Sequence, residues 1–308
     1  MKILLVILFF VVSLISLFVG RDGVIDLNGI HGEFIFFNIR LPRLLLAFIC
    51  GAGLSVAGWT FQILFRNPLA TPYTLGVSSV AALAVAVSEL LKQSGAISNS
   101  FLVFGMFYLP LMFLLLYGFV KRIDRNRLLL IGVCLGIFSS SAIVFIQSLL
   151  GNESVSRLVR WMMGSLDIVG LDNIYILAPI IFICLARLWF YRKKLTMISI
   201  GESFSFSRGI DVNLITFSAL LTGNIMVAAI VWFCGPIGFV GLIIPHLVRT
   251  IYGGDFSKNF LVTLLSGATF LIVCDFISRV AMDTQSISIG AITACVGAPI
   301  LMLKILRR

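Results

Sequence analysis

Few side chains in this sequence could do chemistry, and their spacing argues against most of it. The only histidines, His31 and His246, lie far apart. The six cysteines, Cys50, Cys134, Cys184, Cys234, Cys274 and Cys295, fall singly in apolar stretches and form no CxxC pair. Neither a zinc site nor a disulfide framework follows, and small apolar helix residues are the better reading. There is no G-x-x-x-x-G-K-[ST] to cradle nucleotide phosphates, no HExxH and no G-x-S-x-G. Acids inside apolar runs are scarce: Asp275 is clear and Glu89 sits near a run's end. A proton-coupled carrier or an intramembrane enzyme needs ionisable groups at membrane depth, and this chain is poorly equipped for either. We expect no resident cofactor or metal and no enzymatic activity of its own.

The surroundings of these residues explain the scarcity. Of 308 residues, 60% are hydrophobic and 12% charged. That charged fraction is about half of what a soluble domain carries, so the solvent for most of the chain is lipid. A window of about 20 apolar residues gives about ten spans. They run over 3–19, 43–65, 74–91, 101–120, 128–150, 173–191, 213–234, 237–252, 260–281 and 288–304, the eighth being short and rich in Gly and Pro. Strand-length alternation is absent, so the expected fold is all-α and polytopic, a single domain over 1–308. The first run resembles a signal peptide, but without a convincing small-x-small site an uncleaved first helix is expected.

Net charge is +10, from 23 Lys+Arg against 13 Asp+Glu. The basic residues lie between spans rather than in one patch, so they report topology and not nucleic-acid binding. With both ends inside and ten alternating spans, 16 of the 23 fall on the cytoplasmic side and 7 outside. The expectation is a multi-pass protein with cytoplasmic termini.

Five segments carry more information. Arg40-Leu-Pro-Arg43 opens a span with Gly51-Ala-Gly53, Gly58 and Gln62, followed by Asn67-Pro-Leu-Ala70, Pro72 and Gly76. The glycines allow close helix packing, and the prolines end the span in a tight turn. Trp161-Met-Met-Gly-Ser-Leu166 follows Arg157 and Arg160, and from spacing alone it reads as an interfacial belt beside a surface helix. Leu195-Thr-Met-Ile-Ser-Ile-Gly-Glu202, continuing to Arg208-Gly-Ile210, is amphipathic and too short to span. It could lie among headgroups or seat a soluble partner. Gly235-Pro-Ile-Gly-Phe-Val-Gly-Leu-Ile-Ile-Pro-His246 ends at a histidine suited to packing or capping. Asp275 and Arg279, four apart, can pair on one helix face.

Together these segments resemble the FecCD family of importer permeases. R-x-P-R, N-P-L-A-x-P-x-x-L-G, W-x-x-G-S-L, L-G-E and F-V-G-L-x-x-P-H-x-x-R occur in the family's order across nearly the whole chain. Two departures stand out. Ser286-Ile-Ser-Ile-Gly290 replaces the family's E-L-P-x-G before the last helix, and Arg208 replaces an apolar residue.

The resemblance implies a type II ABC importer permease fold in the bacterial inner membrane, moving an iron-siderophore, haem or cobalamin by alternating access. It implies a dimer of permeases, two cytoplasmic ATP-binding subunits below and a periplasmic or lipid-tethered binding protein above. Arg40, Arg43 and Arg279 match the family's outer arginines, expected to meet acids of the binding protein. The segment 192–212 matches the coupling segment on the ATPase, through Leu195, Ile200, Gly201, Glu202, Arg208 and Gly209. Spans five and ten match the pathway-lining helices, with Gly132, Gly136, Ser139, Ser140, Ser141, Gly290 and Thr293 as candidates. Close helix packing explains Gly132 and Gly136 equally well. Asn67, Pro68, Pro72, Gly76, Pro245 and His246 are assigned to structural turns.

Overall fold

Proline, glycine and the apolar runs between them set the helix pattern seen in a computed structural model. It describes residues 2–20, 23–24, 30–93, 95, 103–106, 108–110, 118, 125–167, 170–281 and 287–306. In chain order the helices are α1 (Lys2–Phe18), α2 (Ile30–Ile35), α3 (Leu41–Phe65), α4 (Val77–Gln93), α5 (Arg125–Leu149), α6 (Asn152–Met162) and α7 (Asp172–Ile200). After these come α8 (Glu202–Ser207), α9 (Val212–Cys234), α10 (Val240–Tyr252), α11 (Phe256–Val280) and α12 (Ile289–Leu306). A wide π-helical turn, Phe36–Arg40, joins α2 to α3. Among the described residues the only strands are Val19–Gly20 and Gly23–Val24, paired antiparallel.

The axis of the bundle is α3. Every residue from Cys50 to Phe65 is buried, which for so apolar a helix means protein on all sides. Lipid gives helices no hydrophobic reason to associate, so close approach must come from small residues. A Cβ at Gly51 would overlap the carbonyl oxygen of Gly267 on α11, and one at Gly58 would overlap that of Gly241 on α10. The expected packing role of these glycines is thus seen at two crossings. Aromatic edges fill the wider gaps: Trp59 on Phe256 at 5.3 Å, and Trp189 on Phe260 at 5.3 Å between ring centres.

Five described helical stretches are long and apolar enough to cross a membrane: Gly32–Phe65, Asn126–Leu149, Asp172–Ile200, Val212–Cys234 and Phe256–Val280. Three shorter apolar helices, Lys2–Phe18, Val240–Tyr252 and Ile289–Leu303, accompany them. The expected fourth span, 101–120, lies largely outside the described residues, as does Ser286.

Three boundaries differ from the sequence expectation. The span expected at 173–191 continues to Ile200, so Leu195 and Ile200 belong to a helix of 29 residues, not to a connecting segment. Arg192, Lys193 and Lys194 favour helix as much as loop, and hydropathy reports only where oil ends. The span expected at 237–252 begins at Val240 and has 13 residues, about 20 Å of helix. Residues 235–239 instead form a turn, with Gly235 (φ 69°) and Phe239 (φ 67°) in the left-handed region. The long connection after α1 holds α2 and the π-turn.

Candidate functional site

Two polar clusters sit at opposite ends of the bundle. At one end, Arg43 is in the first turn of α3 and only 8% exposed. Its Nε donates to Asp275 Oδ1 at 2.5 Å, and its Nη1 donates to Asp167 Oδ1. The second oxygen of Asp275 accepts from Arg279 Nε at 3.1 Å. Arg279 reaches on to α1, donating to the Ser16 carbonyl at 3.0 Å and to its hydroxyl at 2.5 Å. Arg40 Nη1 donates to the Leu17 carbonyl at 2.9 Å.

Asp275 is 1% exposed, and a buried carboxylate persists only where charge and hydrogen bonds compensate it. Here each of its oxygens faces one guanidinium. The i,i+4 pairing of Asp275 and Arg279 is therefore present, inside a larger cluster joining α1, α3, α11 and the segment after α6. Arg43 and Arg279 are not free surface charges; both are held within the chain.

Asp167 was not foreseen as part of this cluster. It lies one residue past the W-x-x-G-S-L segment, whose backbone is tied to two helix ends. Ser165 N–H donates to the Cys234 carbonyl at 2.8 Å. Gly290 N–H donates to Met163 O at 3.1 Å, and Ile289 N–H to Gly164 O at 3.3 Å. An acid beside outward-facing arginines was the available signal, but only tertiary structure pairs it with Arg43.

At the other end, α3 stops at Arg66, whose φ of 50° is the left-handed helix-ending conformation. Asn67 then turns the chain, its side-chain oxygen accepting from Leu69 N–H at 2.9 Å. Val77 N–H donates to the Pro72 carbonyl at 3.1 Å, and Gly76 takes φ 74° where a Cβ would be strained. The turn assigned to Asn67, Pro68, Pro72 and Gly76 is formed by these contacts.

Pro245 has a specific consequence within α10. Proline lacks the N–H that would bond the carbonyl four residues back, which belongs to Gly241. That carbonyl instead accepts from Gln62 Nε2 of α3 at 3.3 Å. The amide oxygen of Gln62 accepts from Arg249 Nη2, and the Arg249 guanidinium lies 5.4 Å from the Trp59 ring centre. The His246 carbonyl accepts from Thr250 Oγ1 at 3.0 Å.

Beside this cluster, α7 breaks at Gly201 and α8 begins. Ser205 Oγ donates back to the Gly201 carbonyl at 2.8 Å, closing the short helix. Arg208 lies over the Phe204 ring at 5.3 Å, Gly209 turns at φ 72°, and Asp211 caps α9 by accepting from Leu214 N–H at 3.0 Å. Glu202 Oε1 is 3.5 Å from Arg66 Nη2. A cavity of about 310 Å³ opens here between Gln62, Arg66, Asn67, Ser199, Ile200 and Arg249.

The candidate pathway residues divide by helix face. On α5, Ser140 and Ser141 are exposed, whereas Gly132 and Ser139 are buried. A Cβ at Gly132 would come within 2.7 Å of the Leu75 Cα, so this glycine serves packing. Gly136 faces Ser79 Oγ across an ordinary 3.6 Å gap. On α12, Thr293 is buried and Gly290 presses on the Met163 carbonyl. The exposed faces of these two helices carry Cys134, Ile137, Ala291 and Cys295 instead.

Known proteins resemble this chain in sequence and fold. The model of the FecCD transport family matches residues 3–307. The Fe(3+) dicitrate transport system permease protein FecD of Escherichia coli is 32% identical over 274 residues, covering 86% of this chain and 83% of FecD. The vitamin B12 import system permease protein BtuC of Vibrio cholerae is 32% identical over 277 residues, covering 89% and 83%. A solved structure described as an inward-facing metal-chelate type ABC transporter superposes with a TM-score of 0.89 at 27% identity, covering 100% of this chain and 99% of that one. With the apolar helices already described, these likenesses make the chain a multi-pass membrane protein that belongs to the FecCD transport family.

Proposed function

We propose that this chain is the permease subunit of an ATP-driven importer, carrying an iron-siderophore or similar metal chelate into the cytoplasm. The observation that carries the reading is the whole-chain likeness to the metal-chelate type transporter, which extends through both polar ends of the bundle. A vitamin B12 cargo is the second reading, favoured by the likeness to BtuC. On this reading the membrane is the bacterial inner membrane, and the excess of basic residues supports a cytoplasmic Glu202 end and cytoplasmic termini.

On this reading two ATPase subunits seat against the corner formed by Ile200, Gly201, Glu202, Arg208 and Gly209. Their closure moves α7 through its cytoplasmic tip. A second copy of the permease faces α5 and α12, and the exposed Ser140 and Ser141 line the space between copies. A binding protein docks at the Arg43 end. Because Arg43 and Arg279 are already held by Asp167 and Asp275, acids of that protein compete with the half-exposed Asp167 for Arg43. The chain's own part is positional: it makes and breaks no bonds, and a cargo already coordinated needs no ligands from the wall.

Uptake of labelled ferric siderophore into proteoliposomes tests this, with the permease and its ATPase reconstituted together. Accumulation should require ATP at the Glu202 face. Accumulation by the permease alone without nucleotide would overturn it.

A further inference from the structure

Arg187 is a guanidinium in an apolar neighbourhood. It lies on α7 one turn before the basic run Arg192, Lys193, Lys194, among the exposed side chains Phe182, Ile183 and Phe190. Among the described residues no carboxylate pairs with it. Its Nη2 donates to Ser218 Oγ of α9 at 2.8 Å, and Tyr191 follows one helical turn on. Arginine keeps its proton at any accessible pH, so this charge needs a counter-charge or water.

The surface beside it has a direction. α7 and α9 are joined through the short α8 and run antiparallel. From Arg187 a groove of about 210 Å³ leads away from the Glu202 end, past Cys184 and Thr222 to Ile180, Ile183 and Ile225. The seven helical steps from 180 to 187 give it a length of about 10 Å. One end is cationic and hydroxyl-bearing, and the remainder is apolar.

The geometry points to a binding site for one anionic phospholipid, its phosphate on Arg187 and one acyl chain in the groove toward Ile180. The charge argues for an anionic lipid. A zwitterionic headgroup brings its own cation to a place already holding Arg187, with Lys194 one turn beyond Tyr191. Apolar walls argue for a lipid rather than free phosphate, which has nothing to place against Ile183 and Ile225. The site needs only that α7 and α9 span a membrane, and it is independent of cargo and ATP.

Native mass spectrometry of the delipidated full chain, offered equal phosphatidylglycerol and phosphatidylcholine, provides the test. One phosphatidylglycerol should be retained in preference. Arg187→Gln should lower its retention by about fivefold, while Arg187→Lys should retain most of it. Ile183→Trp, which fills the groove and leaves the cation in place, should also lower retention. Unchanged helicity and melting midpoint would show that each variant is folded; for any that is not, displacement of the lipid from the wild-type chain by excess phosphatidylcholine gives the same discrimination. Equal retention of the two lipids, or indifference to Arg187→Gln, overturns the proposal. So does displacement of phosphatidylglycerol by inorganic phosphate, which would reduce the site to a free oxyanion site. Crosslinking of Ile183→Cys to a second copy would give the groove to a protein neighbour and equally overturn it.

Discussion

Arg43 and Asp275 meet at 2.5 Å although 232 residues separate them, joining the first turn of α3 to the last turns of α11. The same carboxylate holds Arg279, so one acid anchors two guanidiniums at a single end of the bundle.

Asp275→Asn removes the charge but keeps the shape. Among the described residues it leaves Arg43 with only Asp167 and Arg279 with no anion, and breaking one side of a buried pair costs about 3–5 kcal/mol. Thermal unfolding in detergent should show a large drop in midpoint. Asp167→Asn, at a half-exposed partner, should show a much smaller one.

Glu202→Lys should leave stability nearly unchanged, because its 3.5 Å pair with Arg66 is about 40% exposed on both sides and such pairs contribute at most about 1 kcal/mol. If the corner seats the ATPase, ATP hydrolysis should continue while uptake falls. Parallel assays of phosphate release and cargo accumulation separate the two effects. Normal uptake would remove this corner from the coupling path.

Gln62→Leu leaves the Gly241 carbonyl and Arg249 without their shared partner, at a cost of about 1–3 kcal/mol. Pro245→Ala restores an N–H four residues after Gly241. In the Gln62→Leu background it should recover part of the loss, whereas alone it should do little. A double-mutant cycle on unfolding free energies measures the coupling.

Gly51→Val should prevent α3 and α11 from meeting at Gly267 and reduce the yield of folded protein. Overpacking of this kind costs about 1–3 kcal/mol or more. Gly254→Ala, with open space around it, should express normally. Detergent-stable yield by size-exclusion chromatography reads both.

Most of the fold was legible because oil imposes its requirements along the chain: apolar runs become helices, and glycines mark where helices touch. The helix end at Ile200 was not, since the change from apolar to basic at Arg192 marks the edge of the hydrocarbon and not the end of hydrogen bonding. The site was legible in part. Asp275 and Arg279 pair through a fixed helical spacing, which sequence displays. Asp167 with Arg43, and Gln62 with Gly241, depend on which helices become neighbours. The pathway candidates show the same limit: residue type singled out Gly132 and Thr293, but only their helix face reveals that they point inward.

α7 is 29 residues long, about 43 Å, against a hydrocarbon thickness of about 30 Å. It therefore protrudes as a stiff rod, clasped partway along by Trp189 on Phe260 and Arg187 on Ser218. A rod held at an intermediate point is a lever: pressing its projecting tip one way swings the distant end the other way. The Asp172 end would then move against the direction of the applied force, with an amplitude set by where the clasp lies.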